Sequence, residues 1–149
     1  LYMSKSLKIY NGIRRGLFEN TLNFLSDLWF EIFYRVETER TKSITSLDVN
    51  FNTKFHGFDY YSTRYRPFKK VIENIKITNE SVFVDFGSGK GKCLILADLC
   101  GFRKSVGVEF SRELVEISKK NTQKYLSKKD GSNKIEIFHA DASTFTIIN

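Results

Sequence analysis

Val82-Phe83-Val84-Asp85-Phe86-Gly87-Ser88-Gly89-Lys90-Gly91-Lys92 decides the fold of this chain. An apolar run ends in an acid and then breaks into three glycines, each two residues from the next. A helix-compatible segment, Lys92 to Leu99, follows and is stopped by Cys100-Gly101. This order describes a buried strand, a tight turn and a helix N-terminus, where a ligand can approach bare backbone.

Three nucleotide-type readings compete for the loop. A P-loop needs G-x-x-x-x-G-K-[ST], so that lysine and hydroxyl reach phosphate and magnesium. Gly91-Lys92 suits its end, but Phe86 stands where the first glycine belongs and Cys93 replaces the hydroxyl residue. A dinucleotide fingerprint needs G-x-G-x-x-G. Gly87, Gly89 and Gly91 give G-x-G-x-G instead, and Asp85 stands two residues before the first glycine. A carboxylate there repels a pyrophosphate and suits a cationic group, such as an amino acid's ammonium beside a sulfonium.

Two further strands extend the pattern. Lys104-Ser105-Val106-Gly107-Val108-Glu109 is short and apolar, and Glu109 lies 18 residues after Gly91, room for one crossover helix and a return strand. A carboxylate at such a strand end accepts hydrogen bonds from a ribose diol. From Ser111, a credible N-cap, an amphipathic helix carries Leu114, Val115, Ile117 and Ser118 at helical spacing, with Glu113 and Glu116 in its early turns. A third strand, Lys134 to Phe138, runs into His139-Ala140-Asp141-Ala142, placing Asp141 to accept from an adenine amino group. Acids thus follow three successive strand ends: Asp85, Glu109 and Asp141.

Residues 81–142 resemble the cofactor half of a class I S-adenosylmethionine-dependent methyltransferase: VDFGSGKGK is similar to the first motif, GVEFS to the second, and HADAS to the adenine-binding acid. The D-x-G-S-G-x-G form followed by GVE resembles the non-SET histone lysine methyltransferases and the small bacterial D-x-G-x-G-K-G methyltransferases. The resemblance implies an α/β, Rossmann-like, three-layer fold with parallel strands in the order 3-2-1 and an enzyme that binds S-adenosylmethionine. It implies that Asp85 and the backbone of Gly87, Ser88, Gly89 and Gly91 cradle the methionine part. Glu109 would hold the ribose, Phe110 would pack on adenine, and Asp141 with the Ala142 amide would read the adenine edge. Tyr60-Tyr61-Ser62-Thr63 resembles the Tyr-x-x-Thr segment over the methionine end, through Tyr60 and Thr63. The fold's fourth strand has no counterpart here, so the chain is expected to be part of a longer protein, or to have the apolar edge of its first strand covered by another chain. A dinucleotide-dependent oxidoreductase and a non-catalytic cofactor-binding or interaction module are the alternatives. The methyl acceptor, protein lysine or small molecule, and the catalytic residues are not encoded in any motif.

The remaining sequence frames this site. Residues 1–58 read as an N-terminal helix and a long loop, and 59–149 as the N-terminal part of a Rossmann-like domain. Ile13, Leu17, Phe18, Leu22, Leu25, Leu28, Trp29, Ile32, Phe33 and Val36 form one apolar stripe, with Phe24 and Phe30 off it. The stripe is expected to pack on its own domain, with a dimer partner or membrane surface as alternatives. A helix from Tyr65 to Ile75, capped by Ser62 or Thr63, would lead into the first strand. Lys90 and Lys92 read as surface charges at a helix start, and His139 as a packed or exposed histidine without a catalytic role. Cys93 and Cys100, seven apart on one helix, are too distant for a disulfide, and nothing has metal-ligand spacing. The net charge of +7 is spread along the chain, which disfavours a nucleic-acid patch. Acids interrupt the greasiest region, leaving no membrane span, and no signal core precedes it, so a cytoplasmic location is expected.

Overall fold

The computed structural model describes residues 5–43, 59–129 and 134–146. Helix α1 spans Lys5–Tyr34, α2 Tyr65–Ile72, α3 Lys92–Leu99 and α4 Arg112–Leu126. Strands β1 (Val82–Phe86), β2 (Lys104–Glu109) and β3 (Lys134–His139) form one parallel sheet in the order β1-β2-β3. Register is continuous: Phe83 faces Ser105, which faces Ile135, and Glu109 faces His139. Each crossover is a strand, a helix and a return strand, so the chemistry collects where the strands end.

Period-two alternation sends Phe83 and Ile135 to the helical side. Phe83 packs edge-on to Phe68 and Phe102, and Ile135 joins Phe30, Ile95, Leu96 and Tyr125 in the larger core cluster. Val82, Val84, Val106 and Phe138 line the opposite face with Phe145. A second helical layer over that face, expected from the resemblance, is not among the described residues. As expected of the first strand's edge, β1 pairs with β2 alone among the described strands. Residues 44–58, most of the expected long loop, lie outside the described residues; its two sides meet in an antiparallel bridge between Lys42 and Tyr60.

Three expectations about local structure need correction. The apolar stripe of α1 does not face the domain: Leu17, Phe18, Leu25, Trp29, Ile32 and Phe33 are half-exposed or more, whereas Phe30, off the stripe, is wholly buried. The face that docks is the one carrying Asp27, Phe30 and Tyr34, because polar bonds of Asp27 select it over the greasier side. Helix α2 ends at Ile72 rather than Ile75, and neither Ser62 nor Thr63 caps it. Its N-cap is Arg64, and the Tyr65 amide donates at 2.8 Å to the Asp27 carboxylate of α1, a cap supplied from 38 residues away. Finally, Lys90 and Lys92 are not surface charges; they are 0% and 2% exposed.

Candidate cofactor site

The glycine-rich turn owes its shape to left-handed backbone. Gly87, Gly89 and Gly91 all have positive φ, and Gly91 at φ 81° is the N-cap of α3. Its amides are consumed internally. Those of Gly87 and Ser88 donate to the Val108 carbonyl at 2.8 and 3.1 Å, that of Gly89 to Glu109 Oε2 at 2.9 Å, and that of Gly91 to the Ser88 carbonyl at 2.9 Å. Glu109, 3% exposed, also accepts from the Ser111 amide through Oε1 at 2.9 Å. One carboxylate thus joins the turn after β1 to the N-terminus of α4. Gly107 in β2 allows the turn to sit this close, since a Cβ there would lie 2.7 Å from Ser88 Oγ.

A pocket of about 350 Å³ opens at the C-terminal ends of β1 and β2. Of the residues expected at the cofactor, Tyr60, Thr63, Asp85, Gly87, Ser88, Gly89, Glu109 and Phe110 line it. Gly91 does not: it is buried against α4, where a Cβ would meet Ser118 Oγ at 2.3 Å. Asp141 and Ala142 also lie outside the lining and are exposed. The Asp141 carboxylate accepts from the Ser143 amide and hydroxyl at 2.8 and 2.7 Å, which holds its pKa below the ordinary value. The residue before them does border Glu109: the Ala140 amide donates to the Glu109 carbonyl at 3.0 Å. His139 is exposed beside the Phe110 carbonyl.

Electrostatics within the pocket favour a cation. Burial first, and the Glu109 carboxylate second, push the Asp85 carboxyl up to about 6, while the Cys93 thiol bonded to it pulls the other way. Cys93 itself is pushed up to about 11, chiefly by burial, so it is a neutral thiol and not a nucleophile. Tyr60 covers the turn. Its hydroxyl donates to the Thr38 carbonyl at 2.7 Å, and a Cβ on Gly89 would stand 2.4 Å from its ring. Burial raises its pKa, keeping it a neutral phenol.

Beneath the turn lies a charged layer that sequence reasoning missed. Lys92, which also lines the pocket, donates to Asp27 at 2.7 Å and to Glu39. Lys90 pairs with Glu37 at 3.4 Å and sits over the Tyr60 ring. Asn121 of α4 ties the two together, its amide donating to the carbonyls of Glu37 and Lys90, both at 3.0 Å. Asp59, Tyr61, Cys93 and Leu114 complete the unanticipated lining. Only the position of Cys93, in the first turn of the helix that follows the glycines, was a usable signal. Among the described residues no cluster of His, Cys, Asp and Glu could hold a metal, and no helix is long and apolar enough to cross a membrane.

With this geometry in place, comparison with known proteins is decisive. The family described as "Histone methylation protein DOT1" matches residues 41–146, which include every residue of the pocket. The chain belongs to the DOT1 family. Two curated relatives, both named "Histone-lysine N-methyltransferase, H3 lysine-79 specific" and both from strains of Cryptococcus neoformans var. neoformans serotype D, are 42% identical over 50 residues. That stretch is 34% of this chain and 8% of theirs, so the match spans under a tenth of the length of these relatives. Among solved structures, a SAM-dependent methyltransferase from Thiobacillus denitrificans in complex with S-adenosyl-L-homocysteine is similar at TM-score 0.47 and 16% identity, over 55% of this chain and 32% of that one. An RNA methyltransferase from Salinibacter ruber is similar at TM-score 0.45 and 25% identity, over 56% of this chain and 52% of that one.

Proposed function

We propose that this DOT1-family chain forms the S-adenosylmethionine site of a methyltransferase whose acceptor is a protein lysine. The observation that carries the cofactor reading is the pocket's donor–acceptor balance. The amides of Gly87, Ser88 and Gly89, which an anion would need, are already bonded to Val108 and Glu109, while two carboxylates, Asp85 and Glu109, face the cavity. A diphosphate there meets two carboxylates and finds none of these three amides free. An ammonium and a vicinal diol meet acceptors.

The residues present fit S-adenosylmethionine. Asp85 is placed for the ammonium. Glu109 spends one hydrogen bond on each oxygen and keeps acceptor capacity for a ribose. Phe110 offers an aromatic face beside it. When bound, the cofactor supplies an electrophilic methyl on a sulfonium. The chain's contribution is to hold the ligand in one orientation and keep water off, with Tyr60 and Thr63 closing one side of the pocket. A neutral Tyr60 and a neutral Cys93 add no competing charge or nucleophile. The lysine acceptor rests on family membership alone, since no described residue identifies the acceptor.

Calorimetric titration with S-adenosylmethionine and S-adenosylhomocysteine, with NAD as control, tests the cofactor reading. Micromolar binding of the two adenosyl ligands and none of NAD is expected. Preferential binding of NAD would establish the dinucleotide alternative and overturn it. The acceptor is tested by transfer of labelled methyl to histone octamers: label on lysine supports the reading, and label confined to nucleic acid or to small molecules in a mixed acceptor panel refutes it.

A further inference from the structure

Tyr60 and Thr63 close one side of the pocket, but the segment that carries them is not part of the sheet. It is held by residues 38–42. The Tyr60 amide donates to the Lys42 carbonyl at 2.8 Å, the Lys42 amide to the Tyr60 carbonyl at 3.4 Å, and the Tyr60 hydroxyl to the Thr38 carbonyl at 2.7 Å. The inner end of this pair of segments is buried. Thr38 is 0% exposed, and the amides of Thr38 and Glu39 both donate to the Glu31 carboxylate of α1, the latter at 2.7 Å. The Ser62 hydroxyl adds a bond to Glu39 at 2.7 Å. The outer end is held differently. There the Lys42 ammonium pairs with the Glu113 carboxylate in the first turn of α4, and the two side chains are 30% and 36% exposed.

We propose that Lys42 and Glu113 are positioning residues that clasp two walls of the pocket together and set how long the cofactor stays, an inference that rests on the S-adenosylmethionine reading above. Three observations carry it. The first is placement. Neither residue lines the pocket, yet each is the immediate neighbour of one that does: Lys42 is paired through its backbone with Tyr60, and Glu113 precedes Leu114 in the chain. The ion pair therefore joins the wall carrying Tyr60 to the wall made by α4, and parting those walls breaks it. The second is the difference between the two anchors. The buried bonds at Thr38 and Glu39 hold the inner end, whereas a partly exposed ion pair is weak and screened by salt. The wall thus swings about its inner end, and the clasp opens and recloses without unfolding the segment. The third is that α4 does not need Glu113 for its cap. Ser111 supplies that, accepting from the Leu114 amide at 3.3 Å, so the Glu113 carboxylate stands on a fixed platform and is free to hold Lys42.

Stopped-flow displacement of S-adenosylhomocysteine from the full chain tests this. Glu113→Gln and Lys42→Met should each speed dissociation about two- to fivefold, the range an exposed ion pair supports. The two together should do no more than either alone, because they remove the same contact. Lys42→Glu combined with Glu113→Lys should release the ligand more slowly than either reversal by itself. In the wild type the rate should rise from low to high salt, and in Glu113→Gln it should stay level. A merely structural role would lower the melting temperature without these rate effects. Dissociation of Glu113→Gln at the wild-type rate in low salt overturns the clasp and leaves the cofactor reading standing. So do additive effects in the double substitution. A wild-type chain that binds no adenosyl ligand overturns the cofactor reading and the clasp with it.

Discussion

Replacing Asp27 with alanine tests whether the cofactor turn is supported from α1. Asp27 is 1% exposed and receives three donors: Lys92 Nζ at 2.7 Å, Arg64 Nη1 at 3.0 Å and the Tyr65 amide at 2.8 Å. Removing it strands a lysine that is itself 2% exposed and leaves it Glu39 as its remaining partner. Breaking a buried pair by deleting one member costs about 3–5 kcal/mol, and here the surviving ammonium, already without water, loses the more deeply buried of its two carboxylates. At about 2–4 °C per kcal/mol for a chain of this size, the melting temperature should fall by roughly 6–20 °C. Arg64→Ala is the internal control. Its guanidinium is half-exposed, so the same carboxylate loses a solvent-screened partner, and a change within about 1 kcal/mol is expected. Urea denaturation of the two variants measures both. Replacing the pair together, Asp27→Leu with Lys92→Met, should cost less than the two single changes summed. A loss under about 1 kcal/mol for Asp27→Ala, or strict additivity in the double variant, would refute the buried-pair reasoning.

Three further outcomes concern the pocket itself. Glu109→Ala removes the acceptor for the Gly89 and Ser111 amides as well as for the ligand, and should weaken S-adenosylmethionine by roughly ten- to a hundred-fold, from about 1.5–3 kcal/mol for a hydrogen bond to a charged group; unchanged affinity in calorimetry removes it from the site. Gly89→Ala puts a Cβ 2.4 Å from the Tyr60 ring at a φ of +51° and should abolish micromolar binding while circular dichroism stays native, so wild-type affinity would show that Tyr60 does not cover the turn. Asp85 is raised from 3.8 to about 6, so the folded chain keeps a proton the unfolded chain has released, and this group's contribution to stability is lost as pH rises through that window. The ionised form is the one that meets an ammonium. Affinity should therefore climb as pH rises through about 6 in the wild type and stay weak and flat in Asp85→Asn; parallel profiles for the two would exclude Asp85 as the ammonium's partner.

What was legible in the sequence is what short-range constraint controls. The bounds Lys92–Leu99 and Lys104–Glu109 could be read because glycine spacing, apolar runs and the Ser111 cap act within a few residues of themselves. Asp85 and Glu109 were legible as strand-end acids for the same reason. The fate of α1 was not, because its sequence offers two faces and the greasier one loses. Asp27, whose donors Arg64, Tyr65 and Lys92 lie 37 to 65 residues away, ties the docked face to the rest of the domain. Lys90 and Lys92 were misread as surface charges on the same account: their anionic partners precede them by more than 50 residues.

Those partners lead to a final expectation. The DOT1-family match begins at residue 41, yet Asp27, Glu37 and Glu39, which neutralise the two lysines under the turn, all lie before it. So do Phe30 and Val36 of the larger core cluster. A chain starting at residue 41 would leave Lys90 and Lys92 buried without carboxylates, or force the turn open to hydrate them. Uncompensated burial costs several kcal/mol per ion, against a total stability of about 5–15 kcal/mol for a domain. Residues 41–149 alone should therefore show no cooperative unfolding transition and no cofactor binding. Adding Lys90→Met and Lys92→Met should restore part of the cooperativity, because the requirement for countercharge goes with the charge. A shortened chain that melts cooperatively and binds S-adenosylmethionine with both lysines in place would show that water or rearranged acids hold these ammoniums, and that the N-terminal segment is an accessory to the fold and not its floor.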